Sequence, residues 1–324
     1  MYKKQILTFA NQINEVNNNS SGVFTSRPGV GFLWFVAGTL FAILWASAST
    51  ATKIGLTVAQ PLVIAEVRFA LASFIMLFVA HFILKQRLPA KKEWKQLMVY
   101  GFLNISVYLG LYVIAMQNIT AGIGALAVAS NPVFISFLSV FFLKKRLHFA
   151  IIISIIVCTV GVVCASWPLL GDASVSVSGL IILLLSMLSY SIGAIYFSSK
   201  QWNKLSLLTI NGWQTLLGGM FLLPVTFFFY KNSSNHFNSK FWLSVSWLAV
   251  PVSIFAVQLW LWLLQLNAVR AGLWLFLCPL FGFIIAALIL KDSISIYTIV
   301  GVLLVIVGLL LSQMNTKKNE VLLD

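Results

Sequence analysis

Long runs of apolar residues recur along this chain, and each has about the length that a helix needs to cross a bilayer. Crossing the hydrocarbon core takes about 20 residues. Short loops with turn residues or charges separate the runs, and none is long enough to form a soluble domain. The sequence therefore predicts an all-α integral membrane protein with ten transmembrane helices. The ten spans lie at about 30–52, 61–84, 94–116, 119–143, 148–167, 177–199, 206–230, 241–265, 269–290 and 295–314.

The composition also places the chain in a membrane. Hydrophobic residues make up 60% of its 324 residues and charged residues only 9%, whereas soluble domains carry about 25% charged residues. The formal charge of +14 could suggest nucleic-acid binding. However, the basic residues form short clusters between the spans, as membrane topology requires. Membrane lipid is therefore a predicted partner, and nucleic acid is not.

The distribution of lysine and arginine predicts the orientation in the membrane. With a cytoplasmic N-terminus, sixteen of the 21 basic residues lie in cytoplasmic segments and four in external loops. Positive residues favour the cytoplasmic side, so both termini are expected there. Residues 1–29 are predicted to be a flexible cytoplasmic tail, and residues 315–324 a second cytoplasmic tail. The remaining basic residue, Arg68, lies inside a span.

The two halves of the chain resemble each other. Residues 132–161 and 279–308 align at a constant offset of 147, with matching proline, lysine and glycine residues. Each half would contain five spans, an odd number, so the second half must insert in the opposite orientation. We therefore expect two inverted five-helix repeats, at 30–168 and 177–314. Inverted repeats with a midplane site are typical of secondary transporters.

Several short motifs occur in the same order as in a known family. They are 45-WASAS-49, the run from Pro61 to Phe69 with its Arg-Phe pair, 120-TAG-122 before Pro132, and 271-AG-272 before Pro279. Together they resemble the EamA-type transporters of the drug/metabolite transporter superfamily, which are bacterial inner-membrane proteins with ten helices in two inverted repeats. The resemblance covers residues 30–314 and implies transport of small organic metabolites such as amino acids.

One departure from the family pattern concerns the ends of the fourth and ninth spans. The family often has a glutamate there, whereas this chain has 144-KKR-146 and 291-KD-292. No coupling role is therefore transferred to these positions.

The stretch 65-AEVRFALASF-74 places two charged residues in the second span. A charge at membrane depth costs about 2.5–3.5 kcal/mol on insertion scales. Glu66 and Arg68 are two positions apart, about 200° around a helix, so they should not share a face. Arg68 is a candidate for substrate binding, and snorkelling to the interface is the alternative. Glu66 is either an interfacial residue or a proton-coupling carboxylate.

Polar and aromatic residues deep in other spans complete the predicted substrate site. A cavity lined by aromatic rings would suit flat or amphipathic solutes, and ammonium groups through cation–π contact. For each residue, simple packing is the competing interpretation. The candidates besides Arg68 are Trp45, Ser49, Tyr108, Tyr112, Asn131, Tyr190, Trp213, Gln214, Gln258, Trp262 and Trp274.

Catalytic motifs are missing from the sequence. It contains no HExxH or Walker motif, and it has only three histidines and seven acidic residues. Its three cysteines lie inside apolar spans without CxxC spacing, which favours packing over metal binding. We therefore expect no enzyme activity, no cofactor and no metal site.

The function predicted from the sequence is secondary transport of small organic metabolites by alternating access across the bacterial inner membrane, with export preferred over import. The protein would be a monomer or a homodimer. A receptor, a scaffold or a lipid-handling protein is the alternative. A sealed cavity lined from spans one to four and six to nine would favour transport.

Overall fold

Helices account for all of the regular structure that can be described in the computed structural model. The described residues are 28–119, 121–144, 149–167, 176–290, 296–297, 299–301, 303–308 and 311, and none of them is in a strand. The all-α prediction is therefore confirmed for this part of the chain. The backbone divides into two units, one ending at Ala37 and the other beginning at Gly38. Residues 28–37 of the first are helical, and all contacts below lie within the second.

The helices follow the order of the predicted spans. They are α1 (Pro28–Leu56); α2 (Pro61–Leu77, continued by the π-helix Phe78–Ile83); α3 (Lys91–Gly101, the π-helix Phe102–Val107 and Tyr108–Ala115); α4 (Asn131–Phe142), after a short helix Ala121–Val128; α5 (Phe149–Ser166); α6 (Val177–Ser199); α7 (Leu207–Phe229); α8 (Ser239–Trp247, the π-helix Leu248–Ala256 and Val257–Leu266); α9 (Ala268–Leu273, a 3₁₀ turn Trp274–Phe276 and Leu277–Leu290); and α10 (Ile299–Gly308).

Seven of these helices are long and apolar enough to cross a membrane. They are α1, α2, α3, α6, α7, α8 and α9. Three further apolar helices, Asn131–Phe142, Ile151–Gly161 and Ile299–Gly308, are shorter. The fold is thus that of a multi-pass membrane protein, and the full count of ten spans stays a prediction.

Polar residues at the helix starts explain several of the boundaries. Ser176, Ser206, Asn238 and Asn267 each accept a hydrogen bond from the backbone N–H three residues further on. Such a cap satisfies a donor that the first helical turn leaves unpaired. Pro61 begins α2, where its missing N–H costs nothing.

The fourth predicted span is not one continuous helix. The short helix ends at Val128, and α4 begins at Asn131 after a two-residue turn. Pro132 lies in the first turn of α4, where proline is tolerated because the first N–H groups have no helical partner. The expected single helix over 119–143 is therefore wrong for this segment.

Large apolar side chains cover the outer surface of the helices. Phe74, Phe78 and Phe82 form a stacked row on α2 and are 71%, 48% and 74% exposed. Phe227 and Phe228 on α7 are each 83% exposed. Apolar surface on this scale is rare on soluble monomers and fits contact with lipid tails.

Two glycines bring α3 and α7 into backbone contact. A methyl group on Gly218 would lie 2.4 Å from Ile105 Cβ and 2.6 Å from the carbonyl oxygen of Gly101. A methyl group on Gly101 would lie 2.5 Å from the carbonyl oxygen of Gln214. Small residues at membrane helix interfaces permit this close approach. This contact fixes α7 beside α3 and so places the polar residues of both helices within reach of each other.

We expect Gly218→Ala to lower the thermal stability of the purified protein. The added methyl group meets backbone, and this clash outweighs the gain of about 1 kcal/mol that alanine brings to a helix. Gly193→Ala in α6 is the matched control, since its nearest contact would be an ordinary 3.5 Å to Asn104 Cβ. Thermal unfolding in detergent measures both variants. Equal melting temperatures for the two would contradict the proposed packing.

Candidate functional site

A small cavity lies among α1, α2, α3, α8, α9 and the short helix Ala121–Val128. The volume open to the centres of water molecules is about 20 Å³, and one water molecule needs about 10–15 Å³. All lining residues except Ala48 are buried, so this conformation is nearly closed. The lining consists of Trp45, Ala46, Ala48, Ser49, Arg68, Tyr108, Leu109, Tyr112, Ala125, Val128, Val252 and Cys278.

Stacked aromatic rings form one wall of the cavity. The rings of Trp45 and Tyr108 lie 6.5 Å apart at an angle of 10°. Tyr190 of α6 packs behind them, 5.8 Å from Trp45 and 4.7 Å from Tyr108. Trp260 then stacks on Tyr190 at 5.5 Å. Because each ring is held by the next, the wall is a rigid flat surface that suits the apolar body of a ligand.

The guanidinium group of Arg68 is the charged group of the cavity. Arg68 is only 2% exposed, and its Nε–H donates a 2.7 Å hydrogen bond to Ser253 Oγ on α8. Among the residues that the structure describes, neither Nη1 nor Nη2 has a hydrogen-bond partner, and no carboxylate forms an ion pair with them. A buried charge without a counter-ion is costly, so an anion beside these donors would be stabilised.

Glu66 lies on a different face of α2. Its Oε1 accepts a 3.3 Å hydrogen bond from Thr226 Oγ1 on α7, while Arg68 bonds to α8. The carboxylate also lies beside Gly219, where an added methyl group would come within 3.4 Å of Oε2. The two charges of the second span therefore have separate partners and do not form one ion pair.

A chain of buried polar groups extends from Arg68 across four helices. Asn211 Nδ2 on α7 donates to the Ser253 carbonyl oxygen at 2.8 Å. Gln214 Nε2 donates to Asn211 Oδ1 at 3.1 Å, and Asn104 Nδ2 on α3 donates to Gln214 Oε1 at 3.3 Å. Bonds in such a chain polarise one another in a low dielectric. The chain therefore holds Ser253, the partner of Arg68, in place through its backbone carbonyl.

Five of the residues predicted from the sequence come together around this cavity, namely Trp45, Ser49, Arg68, Tyr108 and Tyr112. Two others support it from behind: Tyr190 packs against the aromatic wall, and Gln214 belongs to the polar chain. Their roles in binding stay predictions.

The remaining predicted residues lie outside the lining of this cavity. Trp213 bonds to His81 at the far end of α2, and Asn131 contacts Ser191 and Met187 of α6. The Trp274 ring packs against Gly38 and occupies the space that a side chain at position 38 would need. Gln258 and Trp262 lie on α8, beyond the part that lines the cavity.

Some lining residues carried little signal in the sequence. Val252 and Leu109 look like ordinary apolar residues of a span, and Cys278 was assigned to packing alone. Ser253 is a single serine in an apolar run; its one signal is Ser106, which stands at the repeat offset of 147. Both serines lie in π-helical segments, and such segments often mark functional sites.

Hydrogen bonds join two loops at the N-terminal end of α2, and we name this contact the Gln60 clamp. The Gln60 side chain donates to the Phe229 carbonyl oxygen at 2.9 Å and accepts from Lys231 N at 2.7 Å and Asn235 Nδ2 at 2.9 Å. Its backbone N–H donates to Asn235 Oδ1 at 2.8 Å. The clamp thus ties the α1–α2 loop to the α7–α8 loop.

A charged contact, which we name the Arg87 clamp, joins two other loops at the C-terminal end of α2. Arg87 binds both carboxylate oxygens of Glu93 at 2.7 Å and donates to the Asn203 carbonyl oxygen at 2.8 Å. Glu93 also accepts from Ala90 N at 2.6 Å and its side chain is fully buried. A bidentate arginine–carboxylate pair is geometrically specific. This clamp ties the α2–α3 loop to the α6–α7 loop.

Comparison with known proteins places the chain among transporters. The model of the EamA-like transporter family matches twice, over residues 31–167 and 177–314. The uncharacterized transporter YoaV of Bacillus subtilis is 24% identical over 289 residues, 86% of this chain and 96% of that protein. An uncharacterized transporter of Archaeoglobus fulgidus is 27% identical, over 85% and 96% of the two chains. Protein PecM of Dickeya dadantii is 26% identical, over 83% and 89%.

A solved crystal structure also has the same fold. It superimposes with a TM-score of 0.69 at 16% identity, over 88% of this chain and 98% of that chain. The fold and the apolar surface define a multi-pass membrane protein, and the family match and the relatives identify it as a transporter. This chain belongs to the EamA-like transporter family, as its motifs predicted. Transporter relatives agree with the expectation of a non-enzyme, and the described residues contain no His, Cys, Asp and Glu group that could hold a metal ion.

We expect Asn211→Leu to lower the thermal stability of the protein. The substitution leaves the Ser253 carbonyl and the Gln214 amide without their partner, and each buried unpaired group costs about 1–3 kcal/mol. Thr215→Val is the control, because its hydroxyl makes only a 3.4 Å bond to Asn211 and its removal strands no donor. Melting curves in detergent compare the two. A control that loses as much stability as Asn211→Leu would show that the polar chain is unimportant.

Proposed function

We propose that this protein is a secondary transporter of small organic metabolites, such as amino acids, and that it works by alternating access. The observation that carries the proposal is the nearly closed cavity, which combines a buried cation with a rigid aromatic wall. Ligand sites in proteins are concave, mostly apolar and fitted with a few polar groups. A cavity of about 20 Å³ must enlarge to admit a metabolite, so binding requires a conformational change.

The cavity lies between helices of the two predicted repeats. Arg68 and the aromatic wall come from α1, α2 and α3, whereas Val252 and Cys278 come from α8 and α9. The double match of the family model supports a division at about 30–168 and 177–314. In an inverted-repeat transporter the site lies between the halves, and rocking of one half against the other exposes it to each side in turn.

The two clamps support this mechanism. They lie at opposite ends of α2, which is 23 residues long and therefore spans about 34 Å. Each joins a loop of the first half to a loop of the second. Inversion of the repeat would relate the α1–α2 loop to the α6–α7 loop, and the α2–α3 loop to the α7–α8 loop, so the clamps are counterparts. We propose that each closes one side of the membrane and that they open alternately.

Location and direction follow from the same proposal. We place the protein in the bacterial inner membrane with both termini in the cytoplasm, as the lysine and arginine distribution predicts. The Arg87 clamp then faces the cytoplasm and the Gln60 clamp the outside. We propose export as the direction, and a monomer or a homodimer as the working unit.

Glu66 is our candidate for proton coupling. It is a partly buried carboxylate in a membrane helix and bonds to the hydroxyl of Thr226 on α7. Gain and loss of a proton would change that contact between the two halves. Acidic residues at membrane depth commonly serve proton relays in transporters.

A receptor, a scaffold or a lipid-handling protein is the competing function. A lipid-handling protein would need a groove open to the bilayer, whereas eleven of the lining residues here are buried. The lining comes from the first four predicted spans and from the eighth and ninth, close to the arrangement expected of a transporter.

We expect purified protein in liposomes to move at least one member of a broad metabolite panel, measured as exchange of labelled solute. An imposed pH gradient should drive accumulation, and Glu66→Gln should abolish this drive while leaving exchange at equal pH. Thr226→Val removes the hydrogen bond but keeps the titrating carboxylate, so it should weaken the drive without abolishing it. Failure to move any solute would refute the transporter proposal, and full pH drive in Glu66→Gln would refute the role of Glu66.

We expect the two clamps to control opposite ends of the molecule. In a cysteine-free background, spin labels at the exposed residues Thr57 and Ser233 report the outer end, and labels at Lys92 and Gln201 report the inner end. Gln60→Ala should lengthen the outer distance only, because it removes three side-chain hydrogen bonds. Arg87→Ala should lengthen the inner distance only.

Gln86→Ala is the matched control for the clamp experiment, since the hydrogen bonds of Gln86 are made by its backbone. It should leave both distances unchanged. Movement of both ends together in either clamp variant would contradict alternate opening.

A further inference from the structure

We infer that the substrates of the proposed transporter carry a carboxylate group and that Arg68 binds it through Nη1 and Nη2. The inference rests on the proposed function and narrows its substrate class. It follows from three features of the cavity: the unused donors of Arg68, the balance of charge in the lining, and the nature of the remaining wall.

The donors of Arg68 are already oriented but only partly used. The bond from Nε to Ser253 Oγ fixes the plane of the guanidinium group, and the polar chain through Asn211 holds Ser253 in turn. Within the described part of the chain, Nη1 and Nη2 have no acceptor although the residue is 98% buried. Two parallel N–H donors on a planar fork match the two oxygens of a carboxylate.

The charge of the cavity suits a single negative charge. Among the described residues of the lining, Arg68 is the one that is charged, so a monoanionic carboxylate would leave the occupied cavity neutral. A phosphate monoester carries nearly two negative charges at neutral pH. It would keep an uncompensated charge in a low dielectric, which is costly. The lining therefore favours carboxylates over phosphates.

The rest of the wall determines what the carboxylate is attached to. Leu109, Val128 and Val252 are apolar, and Trp45 and Tyr108 offer flat aromatic faces. The described part of the chain contributes no acidic residue to the lining, so an ammonium group on the solute would meet ring faces instead of a carboxylate. The substrate class is thus a carboxylate with an apolar or aromatic body. An α-amino group on it would meet the ring faces but would restore the positive charge that the carboxylate neutralises.

The competing interpretation is that Arg68 only braces α2 against α8. Snorkelling to the interface does not apply, because the guanidinium group is buried and bonded to Ser253. A brace works through that bond, so Ser253→Ala would then be as harmful as loss of the arginine. An anion site works through Nη1 and Nη2, which Ser253→Ala leaves intact.

The test uses matched pairs of solutes that differ in the carboxylate. Phenylacetate is compared with phenylacetamide, and L-leucine with L-leucinamide, in thermal-shift binding and in liposome exchange. The wild type should bind and move the two carboxylates in preference to the amides. Arg68→Gln should weaken carboxylate binding by about 30-fold or more, as loss of one partner of a buried charge pair does. Arg68→Lys should retain part of the binding, and Ser253→Ala should retain most of it.

The melting temperature measured without solute shows whether Arg68 has a binding role or a structural one. Arg68→Met removes a buried cation that has no counter-ion among the described residues, so the melting temperature of the variant without solute should not fall below that of the wild type. If it falls as far as that of Asn211→Leu, Arg68 is a brace and the inference is wrong. This readout also shows whether the variants fold.

Each remaining outcome bears on one proposal. Equal handling of amides and carboxylates by the wild type, or normal carboxylate binding by Arg68→Gln, overturns the carboxylate inference and leaves the transporter proposal standing. If every panel solute that the protein moves lacks a carboxylate, the carboxylate inference is also overturned and the transporter proposal stands. A protein that moves nothing at all overturns the proposed function, and the inference falls with it.

Discussion

The buried guanidinium group of Arg68 is the constraint on which the site depends. It lies among apolar helices with a single hydrogen bond, to Ser253 at 2.7 Å, and with no carboxylate beside it in the described residues. A membrane protein keeps such a charge only where it faces a cavity or a partner. The aromatic wall, the serine and the amide chain behind it all serve to hold this cation in an otherwise apolar space.

Packing around the polar chain explains how the helices hold their positions. The backbones of α3 and α7 touch at Gly101 and Gly218, which brings Asn104 within reach of Gln214. Loops at both ends of α2 are joined by clamps of different chemistry, one uncharged at Gln60 and one ionic at Arg87. A closed cavity between two clamps is the arrangement expected of an intermediate between outward and inward states, and in our proposal a single opened clamp gives access from one side.

Much of the fold was predictable from hydrophobic spacing alone. The positions of α1, α2, α3, α6, α7, α8 and α9 follow from apolar runs of the length that a bilayer demands. The turn before Asn131 was not predicted, because the apolar runs on both sides of it together have the length of one membrane span, although Ser130, Asn131 and Pro132 are residues typical of turns. Pro132 lies in the first turn of the new helix, where its missing N–H leaves no helical hydrogen bond unmade.

Residues of the site were predictable only where a side chain differs chemically from the apolar residues around it. Arg68 was recognisable as the one basic residue outside the loops and tails, and Trp45, Tyr108 and Tyr112 as aromatic residues at membrane depth. Val252 and Cys278 in the lining and Ser253 beside Arg68 were missed, because their positions depend on how α8 packs against α2 and how α9 packs against the short helix Ala121–Val128. Trp213 and Trp274 lie deep in predicted spans, as Trp45 does. Their tertiary contacts with His81 and Gly38 nevertheless place them outside the cavity lining.

The reactivity of Cys278, a buried native thiol in the lining of the cavity, tests most directly whether the cavity opens to one side of the membrane at a time. With Cys158 and Cys164 replaced by alanine, a small anionic thiol reagent that cannot cross the membrane is added to one side of sealed liposomes at a time. We predict slow labelling of Cys278 from either side, faster labelling from the outside in Gln60→Ala and from the inside in Arg87→Ala, and protection by a bound carboxylate. A Cys278 that stays unlabelled from both sides while transport proceeds would contradict the account.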